Sequence, residues 1–470
     1  MTIRIVRAPL VLVLLAGLGG CTMGPDYHLP QGAAANLPAA RAALADEHGL
    51  TVPDDLPPRW WHLYDDPVLD RLEEQALAGS TDLRVAAANL ARARAVSQAA
   101  EGQKEPDLTV DAAAERARLS AESFLLEEPL PAFNLGTGQV ELSYQADLFG
   151  RVKRSVEAAH ADEEARRALV DAVKVTLAGE VARAYLEVCG GQETAAVAGE
   201  ALQVQEHLAD AAGRMAAAGR GTALDITAAG ARVAEARAAL PPARARAKAG
   251  LYRLAFLLGR APADYPREAE ACVAVPELVR PLPVGDGAAL IARRPDLRAA
   301  ERELAAATAR IGVATADLYP RIGFGIAGGS SGLLADLGTA PANFWSIGSL
   351  IHWSFPGAGA RAKVRAANAD ADGALARFDG AVLGALREAQ TTLSKYGEDH
   401  DRAENLRLAA EAADKGAAQM ARLHAAGKAA AQSDLGGKAA AIAARSRALD
   451  AREAVVGDQI ALFMALGGGW

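Results

Sequence analysis

Aromatic residues make up only 5% of this 470-residue chain, which also has just three cysteines, five methionines and eight histidines. So few large rings exclude a thick aromatic core and leave small side chains to make the contacts. The histidines show no HExxH spacing, the cysteines no metal-ligand spacing and the serines no G-x-S-x-G context, so zinc-dependent and serine hydrolysis lack their residues. Gly357-Ala358-Gly359 is a fragment of a nucleotide loop, but it follows Phe355-Pro356 and lacks the third glycine and the partner acid; it reads as a turn from strand into helix. Basic charge is also missing: 50 Lys and Arg stand against 58 Asp and Glu, a net charge of -8, which argues against nucleic acid as a partner. After the first 20 residues no apolar run reaches the ~20 residues of a spanning helix, so membrane contact there falls to strands closed into a barrel.

What is there begins with Arg4 and Arg7, an apolar run over 8–18, and Leu18-Gly19-Gly20-Cys21. This has the form of a bacterial secretory signal, residues 1–20, with a lipoprotein processing site whose thiol at Cys21 accepts the lipid. A short membrane anchor is the alternative, though the run falls short of a span. Of the remaining cysteines, Cys189 follows a helical run and Cys272 lies near a linker. They read as isolated thiols, with pairing in an oxidising compartment the other possibility.

Val156-Glu157-Ala158-Ala159-His160-Ala161-Asp162 returns as Val364-Arg365-Ala366-Ala367-Asn368-Ala369-Asp370 at an offset of 208, which also relates Gly219 to Gly427 and Gly259 to Gly467. Upstream the offset is 214, relating Pro106 to Pro320, so the first copy carries six more residues in a loop. The chain is a duplicated unit rather than a row of independent domains. The expected organisation is a lipidated and equatorial segment over 21–80, a first repeat over 81–280 and a second over 281–470.

Within each repeat the residues predict a helix, a β-hairpin (107–148 and 321–355) and a long helical hairpin (151–258 and 360–466). The long segments are rich in Ala, Glu, Arg and Leu; ~60 residues of helix reach ~90 Å, so such rods must pack side by side. Residues 139–148 alternate polar and apolar positions, the pattern of a strand with one wet face. In the second copy Trp345, Ile347, Ile351 and Trp353 share one face. Four strands of about ten residues suit a tilted membrane strand, with Trp345 and Trp353 as an aromatic girdle, but four cannot close alone. Three chains would supply about twelve. The bland alternatives are a solvated helical rod with two surface hairpins, or a lipid-anchored structural rod.

Taken together, Cys21-Thr22-Met23-Gly24-Pro25-Asp26-Tyr27, Trp60-Trp61 with Asp65-Asp66-Pro67-Val68-Leu69, Asp147-Leu148-Phe149-Gly150-Arg151, Arg294-Pro295-Asp296-Leu297-Arg298 and the closing Leu466-Gly467-Gly468-Gly469-Trp470 resemble the TolC-like outer-membrane factors, specifically the lipoprotein NodT or OprM-like subgroup. The resemblance implies a mainly helical fold with a membrane β-barrel part: a homotrimer with a twelve-stranded barrel and a periplasmic α-barrel, lipid-anchored in the outer membrane. It implies a passive exit duct for small molecules in a tripartite efflux pump, without cofactor, metal or catalysis. Its partners would be a periplasmic adaptor at the helical tips and an inner-membrane pump of the resistance-nodulation-division (RND) class. Service to a type I protein-secretion exporter is the alternative inside the channel class. The family's acidic gate positions fall on Asp225 and Asp434, each of which has the competing reading of a helix cap. Gly219, Arg220, Gly427 and Lys428 would form the tips that meet the adaptor, or the two cations would only offset the helix dipoles. After Asp434 the run Leu435-Gly436-Gly437 departs from the family pattern.

Overall fold

The computed structural model describes residues 22–468 apart from Leu126 and Val279. The expected signal segment and Cys21 lie outside the described residues, as do Gly469 and Trp470. We number the long helices and the strands of the main sheet in chain order. The first copy holds α1 (Pro67–Gly79), α2 (Thr81–Gly102), β1 (Asp107–Ala117), β2 (Phe133–Ala146), α3 (Arg151–Ala217), α4 (Ala223–Ala238) and α5 (Leu240–Leu257). The second holds α6 (Pro295–Ala316), β3 (Arg321–Leu333), β4 (Asn343–His352), α7 (Ala358–Ala425) and α8 (Ala431–Ala465).

The duplication governs these bounds. Adding 214 to α2 gives α6 at both ends, and adding 208 carries the end of α3, the start of α4 and the end of α5 onto the end of α7 and the two ends of α8. Four helix ends are built alike. Gly219, Gly259, Gly427 and Gly467 have φ of 71°, 71°, 70° and 74°. In each the glycine N–H donates three residues back and the next residue's N–H donates five back: Arg220 to Met215, Arg260 to Ala255, Lys428 to Leu423 and Gly468 to Phe463. That is the Schellman stop, which needs a residue free to enter the left-handed region.

Several bounds differ from the sequence reading. The hairpins end at Ala146 and His352 rather than at 148 and 355. Alternation runs on through Asp147, but its carboxylate is taken by the start of α3, accepting from the N–H groups of Val152 and Lys153. The returning rod of the first copy is broken between α4 and α5, where Leu240-Pro241-Pro242 opens a new helix; the second copy has no proline there and α8 runs unbroken. Proline removes a backbone donor and crowds the preceding turn. The loop between strands is six residues longer in the first copy (118–132 against 334–342), which accounts for the insertion.

The chain forms two compact units, and neither is a repeat. One takes residues 22–30, 89–166 and 300–378; the other takes 31–88, 167–299 and 379–468. In the second unit alanine and glycine let helix axes approach. A Cβ on Gly250 would lie 2.8 Å from the Ala184 carbonyl oxygen, and one on Gly191 would lie 2.7 Å from the Ala247 nitrogen. Trp60 is fully buried, stacked on Phe463 at 4.5 Å, with Trp61 edge-on to it. Asp66 caps α1 through Val68 and Leu69 and accepts from the Tyr185 hydroxyl at 2.9 Å. Arg294 holds Asp296, Glu388 and the Ala465 carbonyl. The tryptophan and Arg-Pro-Asp motifs are therefore structural clamps. Contrary to the reading as isolated thiols, Cys189 and Cys272 form a disulfide. It ties the linker after α5 to the buried middle of α3, a pairing that depends on a fold contact between residues 83 apart.

Candidate functional site

The four strands form one antiparallel sheet in the order β1-β2-β3-β4. Residues directly opposite in an antiparallel ladder point to the same face, so the register fixes two surfaces. On one, Val110, Val140, Gly328 and Trp345 stand in a row, followed by Leu108, Leu142, Ile326 and Ile347, then Tyr144, Phe324 and Ser349, then Ala146, Ile322 and Ile351. On the other stand Asp111, Gln139 and Gly329, then Thr109, Glu141, Ala327 and Ser346, then Ser143, Gly325 and Gly348. Phe344 and Leu350 also fall on this mainly polar face, against its trend. The apolar face is bare: Trp345 is 80% exposed and Val110 and Ile347 are each 69% exposed. Among the described residues β1 and β4 pair on one side only. An apolar face with two open edges is a surface that water does not satisfy.

Trp345 lies near the loop end of β4, while Trp353 follows the strand at its helix end. Eight residues separate them, about 26 Å of strand. The Trp353 indole N–H donates to the Leu318 carbonyl at 3.1 Å and its ring lies 5.6 Å from Phe355. Phe149 stacks on Tyr319 at 4.7 Å at the same end of the sheet.

There the chain from Thr22 to Tyr27 is seated against the start of α3. Arg154, only 3% exposed, donates to the carbonyls of Met23 and Gly24 and to the carboxylates of Asp26 and Glu157. Burial draws its pKa down, but the pairs with Glu157 and Asp26 outweigh that and raise it. Gly24 has φ of 83°, and a Cβ on it would lie 2.4 Å from the Gly312 Cα; a Cβ on Gly150 would lie 2.8 Å from the Thr22 side chain. The Tyr27 hydroxyl donates to Glu301, and burial with that carboxylate pushes its pKa up to about 12. Sequence reasoning sees this motif only as a mark of resemblance; its glycines are the signal of close approach.

At the first tip Thr222 and Asp225 form a reciprocal capping box at the start of α4. Asp225 is exposed, and the Thr222 hydroxyl and N–H hold its carboxyl below the usual range. At the second tip α8 starts without a side-chain cap at Ala430. Asp434 sits one turn in and is buried; one carboxylate oxygen accepts from Lys438 at 2.9 Å and the other has no hydrogen-bond partner. The repeat offset pairs Asp225 with Ser433 and Asp434 with Ile226, so the two acids occupy different helix faces. The cap reading fits Asp225 and does not fit Asp434. Arg220 and Lys428 are exposed at the Schellman stops. No metal-ligating cluster occurs among the described residues.

The family model described as outer membrane efflux protein matches residues 72–260 and 288–468, one segment in each repeat. The chain belongs to that family, whose members are outer-membrane channels of the OprM/TolC type rather than enzymes. Outer membrane protein OprJ of Pseudomonas aeruginosa is 31% identical over 82% of this chain and 79% of its own length. Solvent efflux pump outer membrane protein SrpC of Pseudomonas putida is 30% identical over 83% of this chain and 82% of its own. The solved outer-membrane channel OprN superposes with a TM-score of 0.84 at 33% identity, covering 96% of this chain and all of that one.

Proposed function

We propose that three copies of this chain close a twelve-stranded barrel in the outer membrane and form the passive exit duct of a tripartite efflux pump. The observation that carries this is the sheet. One face is apolar across all four strands, and both edges are open. In lipid each unpaired backbone group costs several kcal/mol, so such edges require partners, and a second and third copy supply matching ones. Trp345 and Trp353 then mark the two lipid boundaries, since about 26 Å of strand tilted by about 35–45° rises about 20 Å, near the ~25 Å height of an apolar band. Lipidation of Cys21 is supported by the processing-site sequence and by the seating of Thr22 beside the helix end of the sheet. An adaptor meeting the tips Gly219-Arg220 and Gly427-Lys428, and an inner-membrane pump of the RND class behind it, are the partners that the OprM-like resemblance implies, and the similarity to a solvent efflux pump component supports a pump partner. Asp434 is the better gate residue, since it caps no helix and is buried with one carboxylate oxygen unpaired, so it is satisfied only by a rearrangement at the tip.

Purified protein in planar bilayers should conduct in steps, and Asp434→Ala should raise open probability. A heat-stable trimer that never conducts would overturn the duct. Ile347→Lys, which places a cation on the lipid face at a cost of roughly 2–4 kcal/mol, should reduce membrane-inserted trimer several-fold. Normal assembly of that variant would return the sheet to a soluble surface.

A further inference from the structure

The first turns of both long helices carry cations where helix electrostatics disfavour them. The N-terminal end of a helix favours Asp and Glu, yet neither α3 nor α7 has an acid in its first turn. In the first copy these cations are answered: Arg151 pairs with Asp317 at 3.0 Å, Lys153 donates to Thr22, and Arg154 holds the seated N-terminal chain. In the second copy they are not. Arg361 in the first turn and Arg365 one turn further on are exposed and make no side-chain hydrogen bond or ion pair among the described residues. They stand four residues apart on one face, so they also repel each other. The repeat offset sets Arg365 against Glu157 of the first copy, a reversal of charge.

Their surroundings name a ligand. Six and ten residues before them in sequence are Phe355, 81% exposed, with Trp353, 51% exposed, beyond the last apolar row of the sheet. Arg361 and Arg365 lie about 5 Å and about 10 Å along α7 from its start, the head-group layer on each side of a bilayer is about 5–8 Å deep, and a long helical side chain leans back toward the N-terminus, so the Arg365 guanidinium reaches up into that layer from below it. Cations just below an aromatic boundary therefore meet lipid phosphate. Direction agrees. Lys363 falls on the other flank of α7, in line with Asp370 and Arg377, which line a polar groove with Asp162, Glu303 and Arg310. Arg361 and Arg365 face away from that groove.

We propose that Arg361 and Arg365 bind the head groups of anionic phospholipid in the inner leaflet of the outer membrane. This rests on the reading of the sheet as a membrane barrel. Charge complementarity selects the ligand: two unpaired guanidiniums suit phosphate and have nothing to offer a net-neutral choline lipid beyond its phosphate.

The experiment is native mass spectrometry of detergent-purified trimers titrated with cardiolipin, phosphatidylglycerol or phosphatidylcholine. Wild type should retain the anionic lipids preferentially. R361Q/R365Q should bind them roughly twenty-five-fold more weakly, at about five-fold for each cation, while R361K/R365K keeps most of the affinity and K363Q matches wild type. Equal retention by R361Q/R365Q and wild type overturns the proposal. So does R361Q/R365Q falling to monomers in lipid-free detergent where wild type stays trimeric, which would assign the arginines to ion pairs between copies. Wild-type conductance in neutral bilayers reports on the duct separately: conducting trimers indifferent to anionic lipid sink this inference alone, and lipid-binding trimers that never conduct sink the duct alone.

Discussion

The two copies share a skeleton and differ wherever a connecting segment docks on it. Helix ends, the starts of β1 and β3 and all four Schellman glycines coincide under the repeat offsets. Side chains at matched positions do not. Cys189 of α3 bonds to Cys272 of the linker, while its counterpart Gly397 on α7 leaves room for the His48 ring, whose Cδ2 would lie 2.2 Å from an added Cβ. Arg154 clamps the N-terminal chain; its counterpart is Ala362, and the free arginines stand nearby instead. Thr222 and Asp225 cap one returning helix, and the other begins at Ala430 without a cap. Duplication thus preserves what the backbone requires, glycine where φ is positive and proline before strands. It releases side chains to hold different pieces of chain in each copy.

The comparison breaks first at the disulfide. Cys272→Ser should lower stability by about 2–4 kcal/mol, read as a fall in unfolding midpoint that reductant reproduces in wild type. An unchanged midpoint would mean that the linker is held without the bond. Next comes the clamp. Arg154→Ala should cost about 2–3 kcal/mol, less than a fully buried pair because Asp26 is 79% exposed. Residues 22–30 should then become sensitive to protease. Ala362→Arg at the matched site should change stability by less than about 0.5 kcal/mol, and equal effects at both sites would deny the asymmetry. Gly397→Ala should cost about 1–2 kcal/mol by expelling the His48 ring from its 3.2 Å contact with Asp401. Gly416→Ala on the same helix, with nothing within 4 Å of an added Cβ, should instead be neutral or stabilising.

These contrasts explain what the sequence reveals and what it hides. The repeat is legible because both copies must stop helices and start their first strand at the same places, and glycine and proline record that. The wet and apolar faces of β2 are legible because alternation is a local property. The strand's end is hidden because Asp147 continues the alternation while its carboxylate serves α3. The Cys189–Cys272 bond is hidden because it depends on a contact made only in the fold. The break before α5 has a plain local signal, Pro241-Pro242, which the amphipathic pattern on either side masks. Asp225 and Asp434 look alike in sequence, and only the structure separates an exposed cap from a buried acid.

The smallest effect concerns that last pair. Thr222→Ala removes one half of a capping box and should weaken the start of α4 by about 1 kcal/mol, with no counterpart change available at Ala430. The Asp225 carboxyl is held below its usual range by the Thr222 hydroxyl and N–H. A lowered folded-state pKa means that its contribution is present at neutral pH and fades as pH falls through the acid range, once the carboxyl protonates. Amide-exchange protection over 222–226, corrected for intrinsic rates, should therefore decline toward acid pH. Protection over 430–434 should lack that component, because no side chain caps α8. Thr222→Ala should flatten the first profile toward the second. If both tips lose protection together in wild type, the capping box is not what distinguishes them, and both acids return to a common role at the tip.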